Sequence, residues 1–279
     1  MIAHRLALAL AFTCSPFGAG AAAEAITTQP HAIASSRDER TIELDQGAAS
    51  VRALLRSNSR AAVDELNTKW MGLFLRAQRY DEIQEFAIAG SIAVARDTWP
   101  IEQLQQSRVR ALRQAGKHKE AMAAAKALFN VSGLGSTQAC IRELSDCLRA
   151  AYPADPGIVY RFKLQQLAGA QTDPEERRKA LAGLGEDILA GIAIDPQPYE
   201  AAIEKLRDRG DYDSLYGLGN LLLLAGRTKE AEEVFERVYK IAPPKETAYA
   251  TEGLAKAMKA ADGSIGRCNA FILSVRPKQ

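Results

Sequence analysis

The sequence predicts an all-α chain of paired helices, and three observations carry that expectation. Ala and Leu dominate over Val, Ile and Thr, and aromatic residues are only 6% of the 279, a bias toward helices and away from a β-sandwich. From about residue 46 apolar residues recur at helical spacing, as in Val51, Leu54 and Leu55, in Ile83, Phe86 and Ala87, and in Ile203 and Leu206. Pro100, Pro153, Pro156, Pro174, Pro196, Pro198, Pro243 and Pro244 fall between these stretches, where a ring without an N–H does least harm.

Residues 1–23 form the first element. His4 and Arg5 open it, an apolar run covers Leu6 to Phe12, and small residues follow from Gly18 to Ala23. This is the three-part pattern of a secretory signal peptide, with cleavage expected near Ala23, and Ala19 and Ala21 to Ala22 equally suited in chemistry. The apolar run is far shorter than the roughly 20 residues of a membrane-spanning helix. Lipid attachment at Cys14 is disfavoured, because Ala11, Phe12 and Thr13 fit poorly before a lipidated cysteine. The expected location is therefore the periplasm or cell envelope. Residues 24–45 hold Pro30, Ser35, Ser36 and the run Arg37-Asp38-Glu39-Arg40 with little periodicity, and read as a flexible tether or extended lead-in.

Residues 46–279 then read as one helical domain. Asp155-Pro156, Asp173-Pro174 and Asp195-Pro196 each mark a helix start, since Asp caps free N–H groups and Pro fits the first helical position. Gly116 and Gly226 sit where helices should stop. Between 136 and 211 helices are expected at 138–150, 157–168, 174–191 and 198–209, without a clean repeat. The runs at 186–194 and 218–226 are short and read as core helices, so no transmembrane segment is expected.

Internal periodicity is clearest at 212–245, where Leu215, Leu218, Gly219, Leu222, Gly226, Ala231, Phe235, Val238 and Pro243 occur in order. Small residues at Gly219 and Ala231 permit two helices to cross closely, and Gly226 permits a left-handed turn. This spacing resembles the tetratricopeptide repeat family. Weaker matches lie at 102–135, where Arg108 replaces an apolar residue, and at 64–97, where Gln78 replaces Gly. Another lies at about 248–279, which departs at Arg267. The resemblance implies a right-handed superhelical solenoid of antiparallel hairpins, because a single hairpin cannot bury its own apolar faces.

Chemical motifs are sparse. GxSxG, HExxH and GxxxxGK[ST] are absent. His31 lies in the tether and His118 in a hairpin turn. Ser132-Gly133-Leu134-Gly135-Ser136 is glycine-rich but follows no strand and reads as a loop. Asn130-Val131-Ser132 is a glycosylation sequon. Cys140 and Cys147, seven apart, share one helix face, about 10.5 Å apart in rise. That exceeds the roughly 7 Å limit for a disulfide, and burial as small apolar residues is the leading reading. A break between them, or pairing with Cys268, would allow one disulfide. Asp211-Tyr212-Asp213 reads as a helix cap. No catalytic residue, metal or cofactor is expected.

The net charge of +2 argues against nucleic acid as the main partner. The resemblance instead implies a groove lined by the first helix of each hairpin. It assigns Tyr216 and Asn220, with Asp213, Leu223 and Leu224, from the clearest unit. The 102–135 unit contributes Gln106, Arg110 and Arg113, with Gln103 and Gln114, and Arg76 comes from the 64–97 unit. Arginine forks suit carboxylates, so an acidic segment or chain end is the ligand that Arg110 and Arg113 would take. Solvated helix-face charge is the plainer reading of both. The expected function is a non-enzymatic protein- or peptide-binding scaffold of the envelope, with a small-molecule substrate disfavoured. The alternatives are a self-associating envelope component and an exported enzyme with an unrecognised helical site.

Overall fold

The structure, a computed structural model, describes residues 30–57, 59–133, 137–169, 174–262, 268, 271, 272 and 274. The export signal and Cys14, together with 134–136, Asp173 and Arg267, lie outside the described residues. The chain divides into two units, Met1–Thr41 and Ile42–Gln279. In the first, residues 30–41 are helical and belong to α1 (Pro30–Leu55). Helix thus occupies much of the stretch read as a lead-in. In the second unit, Leu44 packs on the core and Asp45 pairs with Arg79.

The described residues are helical, with no strand among them. After α1 come α2 (Arg60–Glu65), a π-helical turn (Leu66–Trp70), α3 (Met71–Arg76), α4 (Tyr80–Ala93), α5 (Thr98–Gln114) and α6 (His118–Val131). Then follow α7 (Thr137–Ala151), α8 (Ile158–Gly169), α9 (Pro174–Ala182), α10 (Gln197–Arg207), α11 (Tyr212–Leu224) and α12 (Thr228–Ile241). A 3-10 turn (Pro244–Glu246) leads into α13 (Thr247–Asp262). None of these helices is long and apolar enough to cross a membrane. The helix expected over 174–191 ends at Ala182. Gly185 takes φ +83° beyond it, and the following strand-free segment is tied down by Gln165 and Lys126 instead. Gln165 donates to the Glu186 carbonyl and accepts from the Ile188 N–H, and Lys126 donates to the Ile192 carbonyl.

Three hairpins share one turn. After α3, α5 and α11 the chain enters the left-handed region at Gln78, Gly116 and Gly226, with φ of 59°, 74° and 76°. The next residue's N–H then donates back to a buried residue, from Arg79 to Phe74, Lys117 to Leu112 and Arg227 to Leu222, each at 2.9 Å. This is the Schellman pattern that satisfies the last carbonyls of a helix. The same physical solution at three places explains why Gly is favoured there, and why Gln78 is the anomaly. Gln78→Gly is expected to raise stability by about 0.5–1 kcal/mol, because a side chain in the left-handed region costs about 1–2 kcal/mol while Gly adds entropy to the unfolded chain. Urea denaturation of both proteins would measure it, and no change or a loss would refute the strain argument.

The second half packs back on the first. Besides touching its neighbours in sequence, α11 packs on α6, α13 on α6 and α10 on α4. At these seams Gly217 lets α11 approach Ala95, and Asn220 donates to the Ala95 carbonyl at 2.8 Å. Arg108, the departure from the apolar pattern, also lies at such a seam. It donates to Gln105 and to the Tyr199 hydroxyl, and Gln105 donates to Ser91 and Tyr199, which links α4, α5 and α10 in a buried polar node. Apolar burial falls into two clusters. One runs through α1–α6 and α10–α13, and the other joins α5–α8 to Ile192.

Candidate functional site

The residues that the resemblance assigns to a groove are mostly engaged inside the chain. Arg110 pairs with Glu143 of α7, and Arg113 with Glu143 and Asp146. Asn220 is fully buried against Ala95, and Leu223 and Leu224 are core. Asp213 pairs with Arg96. Gln106 is half-buried on α5, and Arg76 is exposed at the end of α3. The packing of α10–α13 on α4–α6 accompanies the burial of Asn220, Leu223 and Leu224 of α11. Tyr216 has a different fate. It is buried, but it lines a cleft of about 610 Å³.

That cleft is built where the start of α5 meets α11 and α13. Asp97, Trp99, Pro100 and Glu102 come from the start of α5, Tyr212 and Tyr216 from α11, and Tyr249 and Glu252 from α13. Asp211 starts α11 as the sequence suggests, its carboxylate accepting from the Ser214 N–H at 2.9 Å, and this N–H bond holds its pKa below the usual carboxylate range. The cap fixes Tyr212 and Tyr216 one turn apart, with ring centroids 6.0 Å from each other. The Tyr212 hydroxyl donates to the Glu246 carbonyl and that of Tyr216 to the Tyr249 carbonyl, so both rings are held from α13's side. Trp99 and Tyr249 are 62% and 60% exposed.

Two arginines stand at the cleft, each bracketed by carboxylates. Arg60 pairs with Asp64 and Asp97, and Arg96 with Asp213 and Glu246. Behind the cleft lies a buried charged layer. Lys256 donates to the Thr98 hydroxyl at 2.8 Å and stands 5.7 Å over the Tyr216 ring. Lys259 donates to the carbonyls of Phe129 and Ser132, capping the end of α6 where helix carbonyls lack partners. Glu102 accepts from the Gly133 N–H at 2.9 Å. Gly133 also makes room for Glu252, since a Cβ there would stand 2.3 Å from its Oε1. Burial pushes both lysines down to about 8, and the nearby Glu102 opposes that shift in each. Burial likewise raises the Tyr216 phenol well above its ordinary range.

The other sequence features are structural in this setting. Cys140, Cys147 and Cys268 are buried free thiols. Burial raises the Cys147 thiol to about 11 and raises that of Cys140, the inert condition for a thiol. Asn130 of the sequon is buried and donates to the Leu223 carbonyl, so its amide is closed to glycosylation in the folded chain. Among the described residues no group of three or more His, Cys, Asp or Glu side chains is placed to hold a metal ion.

Sequence reasoning missed Trp99, Tyr249 and Glu252. Trp99 carried a weak signal, a large aromatic beside Pro100 in a polar link between helices. Tyr249 and Glu252 carried none, because only the packing of α13 on α11 and α6 brings them to Trp99. Compared with family models, curated proteins and solved structures, the chain matches none.

Proposed function

We propose that the chain is an exported, non-enzymatic scaffold of the cell envelope, a tetratricopeptide-like stack of hairpins that holds a protein or peptide segment. The three matching turns support the hairpin reading. The binding surface is the cleft of α5, α11 and α13 in place of the Arg110–Arg113 face, whose charges are paired with α7. One observation carries this reading. Trp99 and Tyr249 leave most of their surface in solvent beside a cleft of about 610 Å³. Large aromatic rings at a concave, partly polar site are the usual anchors of polypeptide recognition.

Selection of a displayed random-peptide library on the full chain tests it. Peptides should be enriched on the native protein, retained by Arg110→Glu plus Arg113→Glu, and lost by Trp99→Ala plus Tyr249→Ala. Enrichment that depends on the arginines and ignores the aromatics would place binding on the α5–α7 face and overturn the cleft assignment. Failure to enrich any peptide would remove the scaffold reading.

A further inference from the structure

We infer that the segment bound in the cleft is cationic, presenting lysine or arginine side chains to its aromatic and carboxylate walls. The inference rests on the reading of the cleft as a polypeptide site and reverses the acidic ligand expected from Arg110 and Arg113.

Charge is the first ground. Asp97, Glu102, Glu246 and Glu252 line the cleft against Arg60 and Arg96. Extending the count to the groups that pair with or back these residues adds Asp64 and Asp213 on one side and Lys256 and Lys259 on the other. The carboxylates remain in excess, six to four. Neither arginine offers a free fork to an acidic ligand, because each already lies between two carboxylates. An incoming acid would have to displace one of these pairs, whereas an incoming cation completes the set.

The rings are the second ground. A cation is attracted to the face of an aromatic ring within about 6 Å of its centroid. Two cleft rings already hold cations of the chain at that range. Arg96 stands 5.9 Å from Tyr212, and Lys256 stands 5.7 Å from Tyr216. The site is thus made of surfaces that accept positive charge, and the two rings with most solvent exposure, Trp99 and Tyr249, remain for the ligand's own. A long cationic side chain also suits them sterically, since its methylene stem can lie on a ring while its head reaches a carboxylate.

The chain contains two tryptophans. Trp70 is buried and Trp99 is on the cleft, so tryptophan fluorescence reports occupancy. The full chain is titrated with three capped peptides of equal length, in which Gly alternates with Lys, Glu or Ser. The expected result is saturable change with the lysine peptide, at least about tenfold tighter than with the glutamate peptide, weakening as NaCl rises from 50 to 500 mM. Trp99→Phe should abolish the signal while calorimetry still detects binding. Glu252→Gln, with circular dichroism confirming its fold, should weaken the lysine peptide by roughly three- to tenfold. Equal or tighter binding of the glutamate or serine peptide would overturn the cationic inference and leave the polypeptide site standing. Binding of none of the three by fluorescence or calorimetry would overturn both.

Discussion

Phe235→Ala is expected to lower stability by about 3–5 kcal/mol, the cost of emptying a large aromatic position in a packed core. The ring is fully buried and lies between two helices that carry glycine where they face it. A Cβ at Gly219 of α11 would stand 2.5 Å from the ring, and one at Gly253 of α13 would stand 2.4 Å from it. Tyr216 adds an edge contact, with ring centroids 5.3 Å apart at 87°. Phe235 therefore locks α11, α12 and α13 together, and with them Tyr216, Tyr249 and Glu252 of the cleft.

The same geometry makes a sharper statement about Gly219→Ala. In the native background it should cost about 1–3 kcal/mol, because the rigid ring must shift. In the Phe235→Ala background the obstruction is gone. There Ala should be neutral or stabilising by up to about 1 kcal/mol, the ordinary preference for Ala over Gly within a helix. Urea denaturation of the four proteins gives the coupling directly. Additive effects would mean that the glycine is tolerated for a reason other than Phe235.

Glu102→Ala is the second large effect, with an expected loss of about 3–5 kcal/mol at neutral pH. It removes the acceptor of the Gly133 N–H and a carboxylate facing Lys256 and Lys259. Glu102→Gln keeps an acceptor for Gly133 while removing the charge, and should cost less than Ala. The loss should also depend on pH. Each lysine titrates near 8 in the fold against an ordinary value of 10.5. The unfolded chain then holds more protons than the native one as pH rises above about 8, so stability rises with pH from these groups.

The sign follows from the lowered folded value. The penalty for burying charge is full below about pH 8 and is relieved progressively toward 10.5. The raised cysteine values work in the opposite direction above about 9, the ordinary thiol value. Between about pH 7.5 and 8.5 the lysine contribution should therefore stand out. Native stability should rise across that interval, Lys256→Met should flatten the rise, and the Glu102→Ala deficit should shrink. Glu252 of α13 faces the same layer, as do Cys140 of α7 and Tyr216 of α11, and burial raises the last two above their ordinary values. A deficit independent of pH would assign the role of Glu102 to its hydrogen bond and packing alone.

The sequence by itself determined the local order of this protein. Helical spacing, prolines between segments and the Asp211 cap made α10 to α12 legible to within a few residues. The close helix crossing at Gly219, and the turns at Gly116 and Gly226, followed from residue size and backbone freedom, which act over a few residues. Gln78 shows that the turn persists where its preferred residue is missing. The extent of α9 was overread, because apolar spacing continues through 183–191 while Gly185 and the ties from Gln165 and Lys126 draw that segment away from a helix.

Tertiary structure alone decided where the cleft lies. Asn220, Arg110 and Arg113 stand at positions that the tetratricopeptide resemblance assigns to a groove. The return of α10–α13 onto α4–α6 buries the first, and α7 neutralises the other two. Trp99 and Tyr249 are 150 residues apart in sequence, and nothing local links them. Side-chain periodicity specifies which face of each helix is apolar, but a charged residue such as Lys256 is tolerated in the interior only where distant groups offset its desolvation. Those groups are Thr98, Glu102 and Tyr216, brought together from two other helices, so the cleft and the charged layer beneath it exist only once long-range packing is complete.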